Sequence, residues 1–237
     1  MHNHKPGAPP FRRGRFHGIL MMKIVLQEDE PMKVLMLNTS PHEFGCTRAA
    51  LDEIAAVLTE EGVDSEIMWL GRGDVPGCSG CGACRKSGKC VYDDAVNAIA
   101  EKMTSCDGFV VGSPVHYASA SGAATSALDR LFYSAGPVMR HKPGAAIVSA
   151  RRAGTTAALD QLNKYFTISQ MPLVSSCYWN MVHGSTAADV AKDEEGVCIM
   201  RTLGRNMAWL LKCIAAGREQ GMAAPTQEPR VWTNFIR

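Results

Sequence analysis

The chain has 237 residues, of which 46% are hydrophobic and 20% charged, with a net charge of +2. That balance fits one globular domain with a sizeable core and argues against a disordered chain. It also gives no electrostatic case for binding nucleic acid or an anionic membrane.

Positive charge crowds the start, where His2, His4, Lys5, Arg12, Arg13, Arg15 and His17 stand among Pro6, Pro9 and Pro10. Residues 1–31 are therefore expected to be a disordered basic leader, with Met21, Met22 and Met32 as alternative starts. No amphipathic helix follows that would make the leader a targeting peptide, and Gly18–Val25 lacks a signal-cleavage pattern. No apolar run reaches the roughly 18–20 residues that cross a bilayer, so a cytoplasmic location is expected. Nine cysteines, an odd count in a chain this long, point to reduced thiols or a metal site rather than a disulfide scaffold.

The domain is expected over residues 32–237. Met32–Asn38 is a short apolar run ending at Thr39-Ser40-Pro41, the pattern of a buried strand feeding a loop. Leu51, Ile54, Ala55 and Leu58 then recur at helical spacing, predicting a helix over about Thr47–Glu61, with Gly62 placed as its C-terminal cap. The loop between strand and helix opens onto a helix start, where free N–H groups suit either a phosphate or an ordinary Ser/Thr cap. Neither a Walker A sequence nor a G-x-G-x-x-G turn is present.

Asp64–Leu70 alternates as a strand, and a cysteine-rich loop fills about 71–91. Its run is Cys78, Cys81, Cys84 and Cys90, spaced C-x2-C-x2-C-x5-C. Such spacing admits a ferredoxin-type iron–sulfur site, a structural zinc knuckle or unligated thiols. Zinc motifs usually pair two separated Cys-x2-Cys knuckles, and only one such group occurs here. Cys106, Cys177, Cys198 and Cys213 are isolated and are expected to act as small buried hydrophobes.

Val96, Ile99, Ala100 and Met103 mark a further helix, and Gly108–Gly112 a second buried strand, followed by an expected loop Ser113-Pro114-Val115-His116-Tyr117. A helix is expected over Ala120–Tyr133, a strand over Ala145–Ser149, a helix through about Tyr165 and a last strand near Leu173–Ser176. This alternation predicts an open parallel sheet with helices on both faces, whose ligands gather at the carboxyl ends of the strands. Ser176–Gly184, with Tyr178 and Trp179, is expected to follow the last strand, where substrate or partner-subunit residues would stand, or to serve as aromatic core. A final helix over about Val197–Ala216 carries Met200, Leu203, Met207, Leu210 and Ile214 as a stripe for core packing or an oligomer seam.

Three pieces together resemble a known family. They are S-P-x-x-x-G-x-T after the first strand, G-S-P-V-x-Y-x-S-x-S-G across residues 112–122, and L-D-R at Leu128–Arg130. Over Met32 to Arg237 the chain resembles the flavodoxin-like NAD(P)H-dependent FMN reductases, and the cysteine run followed by Asp93-Asp94 resembles their iron–sulfur flavoprotein branch. The resemblance implies a flavodoxin-like five-stranded parallel sheet of order 2-1-3-4-5 and a homodimer or homotetramer. It implies that Ser40, His42, Gly45, Cys46 and Thr47 surround the FMN phosphate. Family proteins often carry Asn where Cys46 stands, which favours backbone contact at that position. Pro114, Val115, His116 and Tyr117 would run beside the ribityl chain and ring. Ser149, Arg151, Arg152 and Gly154 would reach the pyrimidine end.

Flavin chemistry is consistent with these placements. A hydride arriving at N5 leaves negative charge near N1 and O2, which N–H donors or Arg151 and Arg152 would stabilise. Tyr117 offers an aromatic wall, and His116 a donor or a satisfied imidazole. The expected catalytic residues are therefore Tyr117, His116 and Arg151.

The leading functional expectation is an FMN-dependent oxidoreductase. It takes electrons from NAD(P)H and passes them to a quinone, azo compound, free flavin or protein acceptor, with Cys78, Cys81, Cys84 and Cys90 either as ligands of a [4Fe–4S] cluster on that route or as thiols alone. The competing expectations are an FMN and iron–sulfur electron carrier without a nicotinamide site, and a flavodoxin-fold sensor holding zinc or a thiol switch. A Ser–His–Asp hydrolase is disfavoured, since no G-x-S-x-G elbow follows a strand.

Overall fold

In a computed structural model that describes residues 31–229 and 231–233, the first strand, β1 (Lys33–Asn38), is buried between two helical layers. Its apolar run is continuous because each face meets a different helical layer. Leu35 and Leu37 point into one core cluster, and Val34 and Met36 into the other. The basic leader expected over residues 1–31 lies, apart from Pro31, outside the described residues.

Helix α1 (Cys46–Glu60) returns over the sheet and packs Leu51, Ile54 and Leu58 against Val34 and Met36. It ends in a paired carbonyl–amide motif, with Gly62 N–H donating to Thr59 O and Val63 N–H to Leu58 O. That motif requires the left-handed backbone of Gly62 (φ 73°), so the predicted cap is present. Strand β2 (Asp64–Trp69) lies parallel beside β1. The cysteine-rich segment then leaves the carboxyl end of β2, contains the short helix α2 (Cys84–Ser87), and leads to α3 (Ala95–Lys102), capped by the Asp94 side chain.

Strand β3 (Gly108–His116) runs parallel to β1 on one side and to β5 (Gly144–Ala150) on the other. It is longer than expected, since Ser113–His116 continues the strand where a loop was predicted. Past Gly112 the strand loses β1 as a neighbour, and that half-edge position accommodates Pro114. β3 then turns back as a hairpin onto β4 (Ser119–Ala120), pairing His116 with Ser119. Tyr117 and Ala118 form the two-residue tip with φ of 52° and 58°.

Helices α4 (Gly122–Met139) and α5 (Thr155–Ile168) join α3 on one face of the sheet. After β6 (Met181–His183) and the short α6 (Ala187–Val190), α7 (Glu194–Glu219) covers the other face beside α1. Met200, Leu203 and Met207 of α7 are fully buried, as core packing requires, while Trp209 is exposed. The strand order is β2-β1-β3-β5-β6, with β4 off this path. Setting the hairpin strand aside, this is the predicted doubly wound order.

The last strand falls later than predicted. Leu173 makes only an isolated bridge to Gly144, and the paired strand is Met181–His183, brought beside β5 by the buried Asn180. Asn180 Nδ2 donates to Ala146 O, and its carbonyl accepts from Val148 N–H. No helix among the described residues is long and apolar enough to cross a membrane.

Candidate functional site

The loop after β1 is built from its own polar side chains. Buried Asn38 accepts from Ser40 N–H at 3.0 Å and donates to Glu43 O at 3.0 Å, folding the loop back on the strand that precedes it. Thr39 Oγ1 donates to Gly112 O at 2.8 Å, and Ser40 Oγ accepts from His42 N–H at 3.1 Å. From β2 and the segment after it, Trp69 Nε1 donates to Ser40 O at 2.8 Å and Arg72 Nε to Pro41 O at 2.9 Å. These bonds define the loop before any ligand is considered.

Helix α1 begins at the end of this loop with Gly45 as N-cap. No side chain caps it, and its first turn carries no acid. The start of α1 thus presents the positive end of the helix dipole and free N–H groups to the cleft. Thr47 is buried there, its hydroxyl 2.9 Å from that of Ser149 at the end of β5. The helix approaches β3 so closely that a Cβ on Gly112 would stand 2.8 Å from Thr47 Cγ2. Burial pushes the Cys46 thiol up from its ordinary value, a shift reinforced by the Asp189 carboxylate.

These elements border an open cleft of about 570 Å³ at the carboxyl edge of the sheet. That is within the usual range for small-molecule and cofactor sites. Ser40, His42, Gly45, Cys46 and Thr47 line it from the first loop, Pro114, Val115 and His116 from β3, and Ser149 and Arg151 from the end of β5. Three expected residues stand apart from this lining. Tyr117 is fully exposed at the hairpin tip, Arg152 points to solvent, and Gly154 is the N-cap of α5. Tyr178 and Trp179 pack edge-to-face on each other, half exposed, and do not line the cleft.

The lining also includes residues that the sequence reading passed over. Phe44 stands at the mouth with the Arg48 guanidinium 5.7 Å from its ring, and Gly184, Ser185, Thr186 and Ala187 form a fourth wall after β6. The signal for that wall was Thr186-x-x-Asp189. Thr186 and Asp189 make a reciprocal capping box at the start of α6, and the hydrogen bonds from Thr186 hold the Asp189 carboxyl below its ordinary value.

The four cysteines form a second, smaller cleft. Cys78, Cys81, Cys84 and Cys90 all line it, with Val91, Tyr92, Arg130 and Tyr133. Asn97 of α3 fixes its far end, accepting from Cys90 N–H at 3.0 Å and donating to Cys90 O and Tyr92 O at 3.1 Å. Arg130 of α4 forms a two-bond ion pair with Asp94, both contacts at 2.7 Å. Burial disfavours the Asp94 charge, yet the Arg130 and Val96 donors outweigh it and hold the carboxyl below its ordinary value. The Ala83 N–H and the Ser79 hydroxyl likewise lower the Cys81 thiol. Among the described residues no three His, Cys, Asp or Glu side chains are gathered closely enough to hold a metal ion as they stand. Of the isolated cysteines only Cys106 is buried. Cys177 is exposed in the loop before β6, and Cys198 and Cys213 are exposed because they fall outside the buried stripe of α7.

Known proteins resemble this chain in sequence and in fold. The family model described as NADPH-dependent FMN reductase matches residues 32–186. An iron–sulfur flavoprotein of Methanocaldococcus jannaschii is 30% identical over 191 residues, covering 77% of this chain and 99% of that protein. An iron–sulfur flavoprotein of Methanosarcina thermophila is 24% identical over 193 residues, covering 80% of this chain and all of its own length (100%). Among solved structures, a flavone reductase superposes with a TM-score of 0.61 at 18% identity, covering 78% of this chain and 64% of its own. A flavodoxin from the domain Archaea gives a TM-score of 0.52 at 17% identity, over 76% and 99% of the two chains. At these identities the structural matches speak for the fold alone. With the family model spanning most of the domain and the cysteine loop standing in the same chain as the cleft, this protein belongs to the NADPH-dependent FMN reductase family, in its iron–sulfur flavoprotein branch.

Proposed function

We propose that the protein is an FMN-dependent oxidoreductase that draws electrons from NAD(P)H and delivers them to a quinone, azo compound, flavin or protein acceptor. The observation that carries this reading is the convergence of four strand-end segments on one cleft beside the uncapped start of α1. Bound there, FMN would accept a hydride and return its electrons singly or in pairs.

The cleft fits such a group. The bare helix start, with Ser40 and Thr47 beside it, suits a phosphate, and no acid in the first turn opposes it. Thr47 and Ser149 hold the helix start and the end of β5 in one arrangement through their shared hydrogen bond, so the donors are preorganised. Arg151, exposed at the rim, offers positive charge to an anionic ring or to a nicotinamide phosphate. His116 lines the same wall as an imidazole donor. Tyr117, at the hairpin tip, is free to close over a ligand or to meet a second subunit in the homodimer or homotetramer we propose. A cytoplasmic location belongs to the same proposal.

The four thiols suit a [4Fe–4S] cluster in their chemistry. They are all sulfur, they line one cleft, and the loop would draw them inward on loading. Such a cluster would supply one-electron steps between flavin and acceptor. In this reading Cys78, Cys81, Cys84 and Cys90 are its ligands.

Anaerobic purification, followed by an absorption spectrum and counts of flavin, iron, zinc and sulfide, tests the reading. Stoichiometric FMN with iron and sulfide, together with NAD(P)H oxidation in the presence of a dye acceptor, is the expected result. A colourless protein that cannot be reconstituted with FMN would overturn it. FMN and iron without NAD(P)H oxidation would instead mark an electron carrier, and zinc without sulfide a sensor.

A further inference from the structure

Arg130 is the largest fully buried side chain of the domain, with 1% of its surface exposed. Such a residue is almost never buried unless every donor is satisfied, and here every donor is. Nη1 donates to Asp94 Oδ2 at 2.7 Å and to Pro76 O at 3.3 Å, and Nη2 donates to Asp94 Oδ1 at 2.7 Å and to Tyr92 O at 3.2 Å. The guanidinium carbon lies 4.9 Å from the centre of the Tyr92 ring. One side chain on α4 therefore ties together Pro76, ahead of the first cysteine, and Tyr92 and Asp94, beyond the last.

The fifth donor has a different partner. Nε–H points at Cys90 Sγ, 3.2 Å away. Four donors already suffice to fix the loop, and a carbonyl would satisfy the fifth as well as sulfur does. The cysteine it meets belongs to the set of four whose thiols line one cleft.

Resting on the cluster reading given above, we infer that Arg130 is a positioning residue for that site. Its Nε–H orients the Cys90 sulfur as a ligand and raises the reduction potential of the cluster the loop would hold. Reduction adds one electron to the cluster and so one unit of negative charge, part of which falls on the ligating sulfurs. A donor fixed on one of those sulfurs stabilises the reduced form more than the oxidised form. The paired Asp94 carboxylate largely cancels the long-range field of the guanidinium, so the directional N–H···S bond, rather than the net charge, carries the effect. The potential reads the difference in strength of that bond between the two states, and its loss should lower the reduced-to-oxidised ratio at fixed poise by up to roughly tenfold, about 59 mV for a one-electron couple.

The test uses the full-length protein, reconstituted anaerobically with ferrous iron and sulfide and retaining its FMN. Arg130→Lys keeps a cation for Asp94 but removes the planar fork and its Nε–H. The expected result is unchanged iron, sulfide and FMN content with a lower midpoint potential. A second measurement needs no change at position 130. In an Arg85→Lys background, which removes the other arginine beside the cysteines, protein labelled with [15N]arginine should show a weak 15N coupling in the pulsed EPR spectrum of the reduced cluster. If Arg130→Lys does not fold, this coupling alone decides. An unmoved potential in a fully loaded Arg130→Lys protein, or the absence of the coupling, overturns the role of Arg130 and leaves the cluster reading standing. A wild-type protein that takes up FMN but neither iron nor sulfide overturns the cluster reading, and the role of Arg130 falls with it.

Discussion

The cleft at the ends of β1, β3 and β5 and the cysteine loop after β2 both stand at the carboxyl edge of one sheet, but they are held by different means. The cleft takes its shape from paired strands and from hydrogen bonds made by the strand-end residues themselves. Asn38 folds its own loop, Thr39 reaches the neighbouring strand, and Thr47 meets Ser149 across α1 and β5. The cysteine loop has no strand partner. It is held by side chains of two helices, Asn97 of α3 and Arg130 of α4, acting over sequence separations of up to 54 residues. A site framed by a sheet tolerates the loss of one side chain, because the backbone ladder remains. A loop held by two side chains, Asn97 and the buried Arg130, has no such reserve.

Arg130→Met should have the largest effect. It removes all the loop's contacts to α4 from that side chain and leaves Asp94 partly buried without its cation, a loss of about 3 kcal/mol by analogy with other broken buried pairs. Denaturant unfolding should show that loss, and Asp94→Asn added to it should recover part of the stability. FMN content should stay near that of the wild type. If stability fell by less than about 1 kcal/mol, Asn97 rather than Arg130 would be the main support of the loop.

The mirror-image test is Gly112→Ala. Its new Cβ would stand 2.8 Å from Thr47 Cγ2 and 3.2 Å from both Ile147 Cδ1 and Leu51 Cδ1, so the start of α1 must shift. Overpacking of this kind costs about 2 kcal/mol. Here the FMN content should fall while the iron content holds. Asn97→Ala is expected to be milder. It removes three hydrogen bonds at Cys90 and Tyr92, about 1.5 kcal/mol in total since water replaces part of them. Its clearest readout is faster limited proteolysis between Cys84 and Tyr92 at unchanged FMN content.

The same contrast explains what was readable from the sequence. β1, β3 and β5 announce themselves as short apolar runs because each is buried on both faces, and residues from the end of each line one cleft, although Ser113–His116 is strand where a loop was expected. The last strand was misplaced because Met181-Val182-His183 is too short for any period to show, whereas Leu173-Val174 imitates a strand start. The hairpin was invisible because its tip is Tyr117-Ala118, with neither the glycine nor the asparagine that usually marks such a turn. With the hairpin unseen, Tyr117 was assigned to a cleft that its exposed position does not line. Arg130 was legible only as the last letter of L-D-R. Its partners lie 36 to 54 residues away, and no local pattern encodes a contact of that range.

The mildest change perturbs the framework of the cleft without unfolding it. Thr47→Val keeps the bulk of the side chain and removes the hydroxyl that meets Ser149 at 2.9 Å. The Ser149 hydroxyl is then left buried without that partner, at a cost of about 1 kcal/mol. Because β5 remains paired with β3 and β6, the strand itself should not move, and thermal unfolding should shift by only a few degrees. The penalty should appear instead in FMN affinity, as a loss of roughly fivefold if the threonine serves only to fix the helix start and tenfold or more if its hydroxyl also meets the phosphate. Titration of the deflavinated protein with FMN separates the two. Iron uptake by the cysteine loop, measured in the same samples, should not change, since none of the hydrogen bonds that hold that loop passes through Thr47.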